Sequence, residues 1–187
     1  MDLRYFTYLY RGANLLLRGP EIRGIIQALR KSGIREGRSF EEEKMTQKEI
    51  FGFIDAQKTA FIASVDEEGF PNVKAMLAPR ERDGVVFYFT TNTSSLRVKQ
   101  YLNNPRASVY FYHRGRFRYT GVMLKGTMDV LTDQETKNRI WRTGDSMFYK
   151  KGVTDPDYCV LRFTAEKGRY YRDLKTESFE LTQTEGD

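Results

Sequence analysis

The run Phe89-Thr90-Thr91-Asn92-Thr93-Ser94-Ser95-Leu96-Arg97-Val98-Lys99-Gln100 joins an apolar strand end to a row of hydroxyls and then to cations. Ser94 or Ser95 can cap a helix running to Asn104, which Pro105 ends. A helix start carries free N–H groups and the positive end of the helix dipole. The hydroxyls add donors, and Arg97 adds a planar fork that matches phosphate oxygens. Lys74, on a neighbouring expected strand, can bring another cation. The chemistry this supports is the holding of a phosphate monoester. By spacing alone, the same run is also an ordinary Ser-capped helix with Arg97 and Lys99 on its solvated face.

Other chemistries find little support. No GxGxxG follows a strand, and neither a P-loop nor a GxSxG elbow occurs. The single Cys159 excludes an intrachain disulfide and multi-cysteine metal sites. It lies in an alternating strand and reads as a buried structural thiol. The single His113 excludes HExxH and His-rich metal clusters, and beside Arg114 and Arg116 it reads as a surface residue at a strand end.

These residues need elements to position them. The 187 residues suit one globular domain with a short appendage, and 40% apolar and 14% aromatic content is globular composition. The net charge of +6 is uneven. Residues 1–40 hold eight basic and three acidic side chains, a local +5, so the remainder is nearly neutral. We divide the chain into a basic helical extension, residues 1–44, and a main domain, residues 45–187. Helices are expected over residues 3–18, ending at Gly19, and from Pro20 to Gly33, with a charged linker after them. Their apolar positions are expected to pack on the main domain or on another subunit, so no nucleic-acid partner is expected. The longest uncharged stretch, Gly84–Leu96, has 13 residues rich in Thr, Ser and Asn, so no membrane helix is expected. The first residues lack the pattern of a signal peptide, and a cytoplasmic protein is expected.

In the main domain, Thr46 with Glu49 forms a capping box before Ile50, Phe53 and Ile54. Strands are expected at 59–65, 72–82, 85–90, 107–113, 117–131 and 158–174. In the second, Val73, Ala75 and Leu77 alternate with Lys74 and Met76. One helix is inserted after the third strand, and a second capping box, Thr132 to Glu135, opens another helix through Trp141. Six antiparallel strands without βαβ alternation make a mainly β fold, most economically a closed or nearly closed barrel with flanking helices.

Several segments together resemble the pyridoxamine 5'-phosphate oxidase-like superfamily of FMN-binding split barrels, in particular its general stress protein branch. They are Val73-Lys74-Ala75-Met76, the block from Phe87 through Gln100 to Asn104-Pro105-Arg106-Ala107-Ser108-Val109, Leu124-Lys125-Gly126, Trp141, and Gly152-Val153-Thr154-Asp155-Pro156-Asp157-Tyr158. The resemblance implies a six-stranded antiparallel split barrel. It places FMN phosphate near Lys74, Ser95, Leu96, Arg97 and Lys99. It places the flavin ring edge against the backbone of Ala75, Met76 and Leu77 and near Thr90 and Thr91. It further implies a homodimer with FMN at the subunit interface. Tyr110, Tyr112, Phe117, Tyr119 and Trp141 are candidates for that interface or the flavin faces, with ordinary packing as the other reading. The implied activity is an oxidoreductase exchanging hydride at flavin N5, with NAD(P)H as a donor and a small-molecule acceptor. The alternative is a non-enzymatic stress-response module binding flavin, deazaflavin or haem. The chain departs from the oxidase pattern in two places. Leu96-Arg97 stands where that pattern has consecutive Arg and Lys, and no Arg-x-His substrate clamp occurs. Oxidation of pyridoxamine phosphate is therefore not expected.

Overall fold

The computed structural model describes residues 45–116, 119–172 and 175–182. The helices and linker expected within residues 1–44 lie outside the described residues, as does Phe117. The described part is mainly antiparallel β, with three short helices: α1, Gln47–Asp55; α2, Leu96–Asn103; and α3, Gln134–Ile140. The strands are β1, Thr59–Val65; β2, Pro71–Leu77; β3, Glu81–Asp83; β4, Val86–Asn92; β5, Arg106–Arg114; β6, Tyr119–Leu131; β7, Tyr158–Arg172; and β8, Lys175–Glu180.

The strands follow the order β2-β1-β5-β6-β7-β4-β3, and β8 pairs with the far half of β7. The six expected strands are all present. Two features raise the count to eight. The second expected strand divides around Pro79, which has no N–H to give. Ala78 N–H donates to Lys58 O, finishing the β1–β2 pair, while Arg80 N–H donates to Tyr88 O, starting the β3–β4 pair. The last expected strand is followed by a return strand, β8. Only residues 78–80 separate β2 from β3, yet these are the two ends of the sheet order. The sheet must therefore curl into a barrel-like shape, left open along the seam between β2 and β4.

Alternation fills the interior. On β5, Ala107, Val109 and Phe111 point inward, and β6 adds Val122, Leu124 and Met128. Phe87 stands at the centre, with its ring 6.2 Å from Phe51, 6.2 Å from Phe111 and 6.1 Å from Phe163. Helix α1 closes over the interior with Ile50, Phe51 and Ile54. Its capping box forms as expected: Thr46 Oγ1 accepts from Glu49 N–H, and the Glu49 carboxylate accepts from Thr46 N–H. At α3 the cap differs from expectation. Asp133, not Thr132, is the N-cap, and its carboxylate accepts from Thr136 N–H at 2.8 Å. The helix therefore starts one residue later, capped by a carboxylate in place of a hydroxyl.

Candidate functional site

The run of hydroxyls and cations sits where β4 ends and α2 begins. Buried contacts fix the position of α2. Val98 and Tyr101 enter the core, and Ser64 Oγ donates to Gln100 Oε1 at 2.6 Å in a buried link to β1. Ser95 occupies the N-cap position with extended backbone, yet its hydroxyl makes no capping bond. Ser95 Oγ is buried and without a partner, whereas the buried Thr93 hydroxyl meets the Cys159 thiol. A buried hydroxyl normally has a partner, because leaving it unpaired costs about 1–3 kcal/mol. The Ser95 hydroxyl, beside the open first turn of α2, therefore marks a place suited to an acceptor-rich group.

Arg97 completes the arrangement. Its Nη1 lies 2.7 Å from Met76 Sδ on β2 and 3.4 Å from Thr91 Oγ1 on β4. The guanidinium thus spans the seam where the barrel does not close. An open cleft of about 650 Å³ follows this seam. One wall is Lys74, Met76 and Leu77 of β2; the other is Thr90, Thr91 and Asn92 of β4, continued by Ser94, Ser95 and Arg97. The far end is closed by Arg80, Asp145, Phe148 and Tyr149. Arg80 is ion-paired with the buried Asp145, whose other carboxylate oxygen accepts from Arg142 N–H at 3.0 Å. Burial pushes the Tyr149 hydroxyl up to about 12, so at neutral pH it stays protonated and able to donate.

The cleft brings together Lys74, Met76, Leu77, Thr90, Thr91, Ser95 and Arg97. Ala75 points to the opposite face of β2, in register with Phe61. Leu96 is exposed on the other side of α2, and Lys99 pairs there with Glu67 at 2.8 Å. Residues two apart on a helix do not share a face, so Arg97 and Lys99 diverge. Trp141 stands behind the cleft wall, 6.0 Å from the Tyr149 ring and 5.0 Å edge-on from Tyr158. Cys159 is fully buried, with its thiol pushed up by burial, and takes no part. His113 is exposed at the end of β5, outside the cleft. Sequence reasoning missed Arg80, in the short link after β2, and Asp145, Phe148 and Tyr149, which reach the cleft from a distant segment. It also missed Asp157, which binds the loop at Asn92–Ser94 from behind.

A curled antiparallel sheet, open along one seam and carrying anion-suited donors there, defines the split-barrel class. The family model for pyridoxamine 5'-phosphate oxidase matches residues 46–172, and the chain belongs to that family. Over 75 residues it is 36% identical to the pyridoxine/pyridoxamine 5'-phosphate oxidase of Rhizobium johnstonii and 35% identical to that of Agrobacterium fabrum. Each match covers 40% of this chain and 34% of the relative, so the chain matches about a third of the length of these curated relatives. Among solved structures it resembles a Clostridium acetobutylicum protein related to general stress protein 26, of the pyridoxinephosphate oxidase family. There the identity is 36% and the TM-score 0.63, covering 71% of this chain and 92% of that one. General stress protein 26 of Bacillus anthracis shares the fold at 20% identity and TM-score 0.59, over 72% of this chain and 97% of that one. A heme binding protein of Mycobacterium smegmatis shares it at 14% identity and TM-score 0.56, over 68% and 55%.

Proposed function

We propose that the chain binds FMN along the seam between β2 and β4 and serves as an FMN-dependent oxidoreductase. The observation that carries this reading is the unpartnered buried hydroxyl of Ser95, which lines the cleft beside Arg97 at the start of α2. These groups fit a terminal phosphate: a hydroxyl donor, open first-turn N–H groups, one fork-shaped cation and, from β2, Lys74. When bound, FMN supplies hydride exchange at its N5, and NAD(P)H is the donor class we assign.

The chain's own residues bind, orient and shield. Arg97 and Lys74 neutralise the phosphate. Met76 and Leu77 on one wall and Thr90 and Thr91 on the other leave a slot for a flat ring. The buried Tyr149 lines the far end beside the exposed Phe148, and the Arg80–Asp145 pair holds that end in place. No lining side chain stands out as a dedicated proton donor, which suits a reaction whose hydride step belongs to a cofactor.

The same reading includes a homodimer. The face of the sheet turned away from the core carries Phe61, Tyr110, Tyr112, Tyr119 and Tyr171, with Val73 continuing it onto β2. Apolar and aromatic area on an outer sheet face is the composition of an interface core. Haem is the weaker alternative, because the one histidine lies outside the cleft.

The test is the absorbance spectrum of the purified full chain after adding FMN, followed by NAD(P)H without oxygen. The reading expects a perturbed flavin spectrum that bleaches with NAD(P)H faster than free FMN does. An unperturbed flavin spectrum, or a Soret band from the protein as purified, contradicts it. Perturbation without bleaching supports the binding module over the enzyme.

A further inference from the structure

Asp157 ends the loop before β7, 60 residues beyond Arg97 in sequence, yet it holds three consecutive residues of the anion loop. Its carboxylate accepts from Asn92 Nδ2 at 2.7 Å and from Ser94 N–H at 2.8 Å. Its carbonyl accepts from Thr93 N–H at 2.8 Å. Asp157 is itself held: its N–H donates to Asp155 Oδ1 at 3.0 Å, and the carbonyl of Asp155 accepts from the buried Lys137 Nζ at 2.9 Å. A chain of contacts therefore runs from α3 through the 155–157 turn to the loop that opens α2.

The charge of Asp157 argues against an electrostatic role toward an anion. A carboxylate behind a phosphate site repels the phosphate, so its contribution has to be geometric. By satisfying Asn92, Thr93 and Ser94 from behind, it fixes the loop's turn. Ser95 N–H is meanwhile occupied by Asn92 O at 3.0 Å. The donors left over are the Ser95 hydroxyl and the first turn of α2, the groups that flank Arg97. We infer that Asp157 is the positioning residue of the phosphate loop, setting its donors toward the seam without touching the ligand. The inference rests on the flavin reading of the cleft. The carboxyl of Asp157 is held below the usual carboxylate range, first by Asn92 and then by Ser94, so the residue works as an acceptor at neutral pH.

The experiment compares Asp157→Ala and Asp157→Asn with the wild-type full chain, using FMN and riboflavin as paired probes. Riboflavin has the same ring and no phosphate. Asp157→Ala removes both carboxylate acceptors. Asp157→Asn keeps one acceptor for Ser94, and its amide can meet Asn92 after that side chain turns over. The expectation is that Asp157→Ala weakens FMN by about tenfold or more and riboflavin by less than about twofold, while Asp157→Asn stays within about threefold of wild type for FMN. Equal losses for FMN and riboflavin, or no loss for either, overturn the inference. So does a loss in Asp157→Asn equal to that in Asp157→Ala, because acceptors that restore the loop's hydrogen bonds then restore no binding.

Amide hydrogen exchange separates this inference from the flavin reading itself. If the wild-type chain takes neither flavin, the proposed function fails. The positioning role is then decided by exchange alone. Faster exchange in Asp157→Ala confined to the loop and first turn of α2 supports it; unchanged exchange there, or acceleration throughout the barrel, overturns it.

Discussion

Arg97 is the side chain on which the cleft most depends, because it alone reaches from α2 across to both Met76 and Thr91. Replacing it with Ala is expected to weaken FMN by about ten- to a hundredfold, the loss of a charge-assisted hydrogen-bonding group, with riboflavin little changed. Arg97→Lys keeps the charge without the fork and is expected to recover only part of that loss in a fluorescence-quenching titration. The local residues of this site were legible in the sequence. Hydroxyls, helix start and cation are neighbours in the chain, and their chemistry follows from residue type. Lys99 illustrates the limit of reading by proximity: two residues from Arg97, it turns to Glu67 on the other side of α2. The roles of Asp145 and Tyr149 in the cleft, and of Asp157 behind its loop, were not legible, because they depend on contacts between segments some 50 residues or more apart in the chain.

At the scale of elements, caps and close approaches decide. Thr46→Ala removes the cap of α1 and is expected to cost about 1 kcal/mol, measured by denaturant unfolding. Glu49 gives that cap a pH dependence. Its carboxyl is held below the ordinary 4.5 chiefly by the Thr46 backbone N–H. A lowered folded-state pKa adds stability above the unfolded value, and this is lost as pH falls through the folded one. The stability difference between wild type and Glu49→Gln should therefore be present at neutral pH and fade as pH falls through the lowered folded-state value of Glu49. Gly126 stands at a bulge where β6 shifts register, and a Cβ there would lie 1.9 Å from Thr164 O. Gly126→Ala is expected to cost about 2 kcal/mol or more, since the neighbour is backbone and cannot turn aside. The capping box of α1 and the alternation of β1, β5 and β6 were readable because each is a periodic or short-range signal. The division of β2 from β3 was carried only by Pro79 within an otherwise continuous alternation, and it proves central, since it brings the ends of the sheet together around the cleft.

For the whole molecule, the net charge of +6 says less than its distribution, because most of the excess lies within residues 1–40, outside the described part. The described part instead offers an aromatic outer face. Tyr110 and Tyr171 lean together there, 6.1 Å apart, and a Cβ on Gly121 would meet the Tyr110 hydroxyl at 2.1 Å, so glycine makes room for the ring. Placing a charge on this face is expected to separate two copies. Tyr112→Asp, at a position 40% exposed in the single chain, should halve the mass seen by light scattering while leaving the barrel folded. A wild-type chain that is monomeric at working concentration contradicts the homodimer.

The central claim is that the seam between β2 and β4 is an FMN site with its phosphate at the start of α2. A crystal structure of the full chain grown with FMN tests it most directly. The account predicts the phosphate within hydrogen-bond distance of Ser95 Oγ and the Arg97 guanidinium, with the ring lying toward Thr90 and Tyr149. Flavin bound elsewhere on the chain, or a phosphate turned away from Arg97, contradicts it.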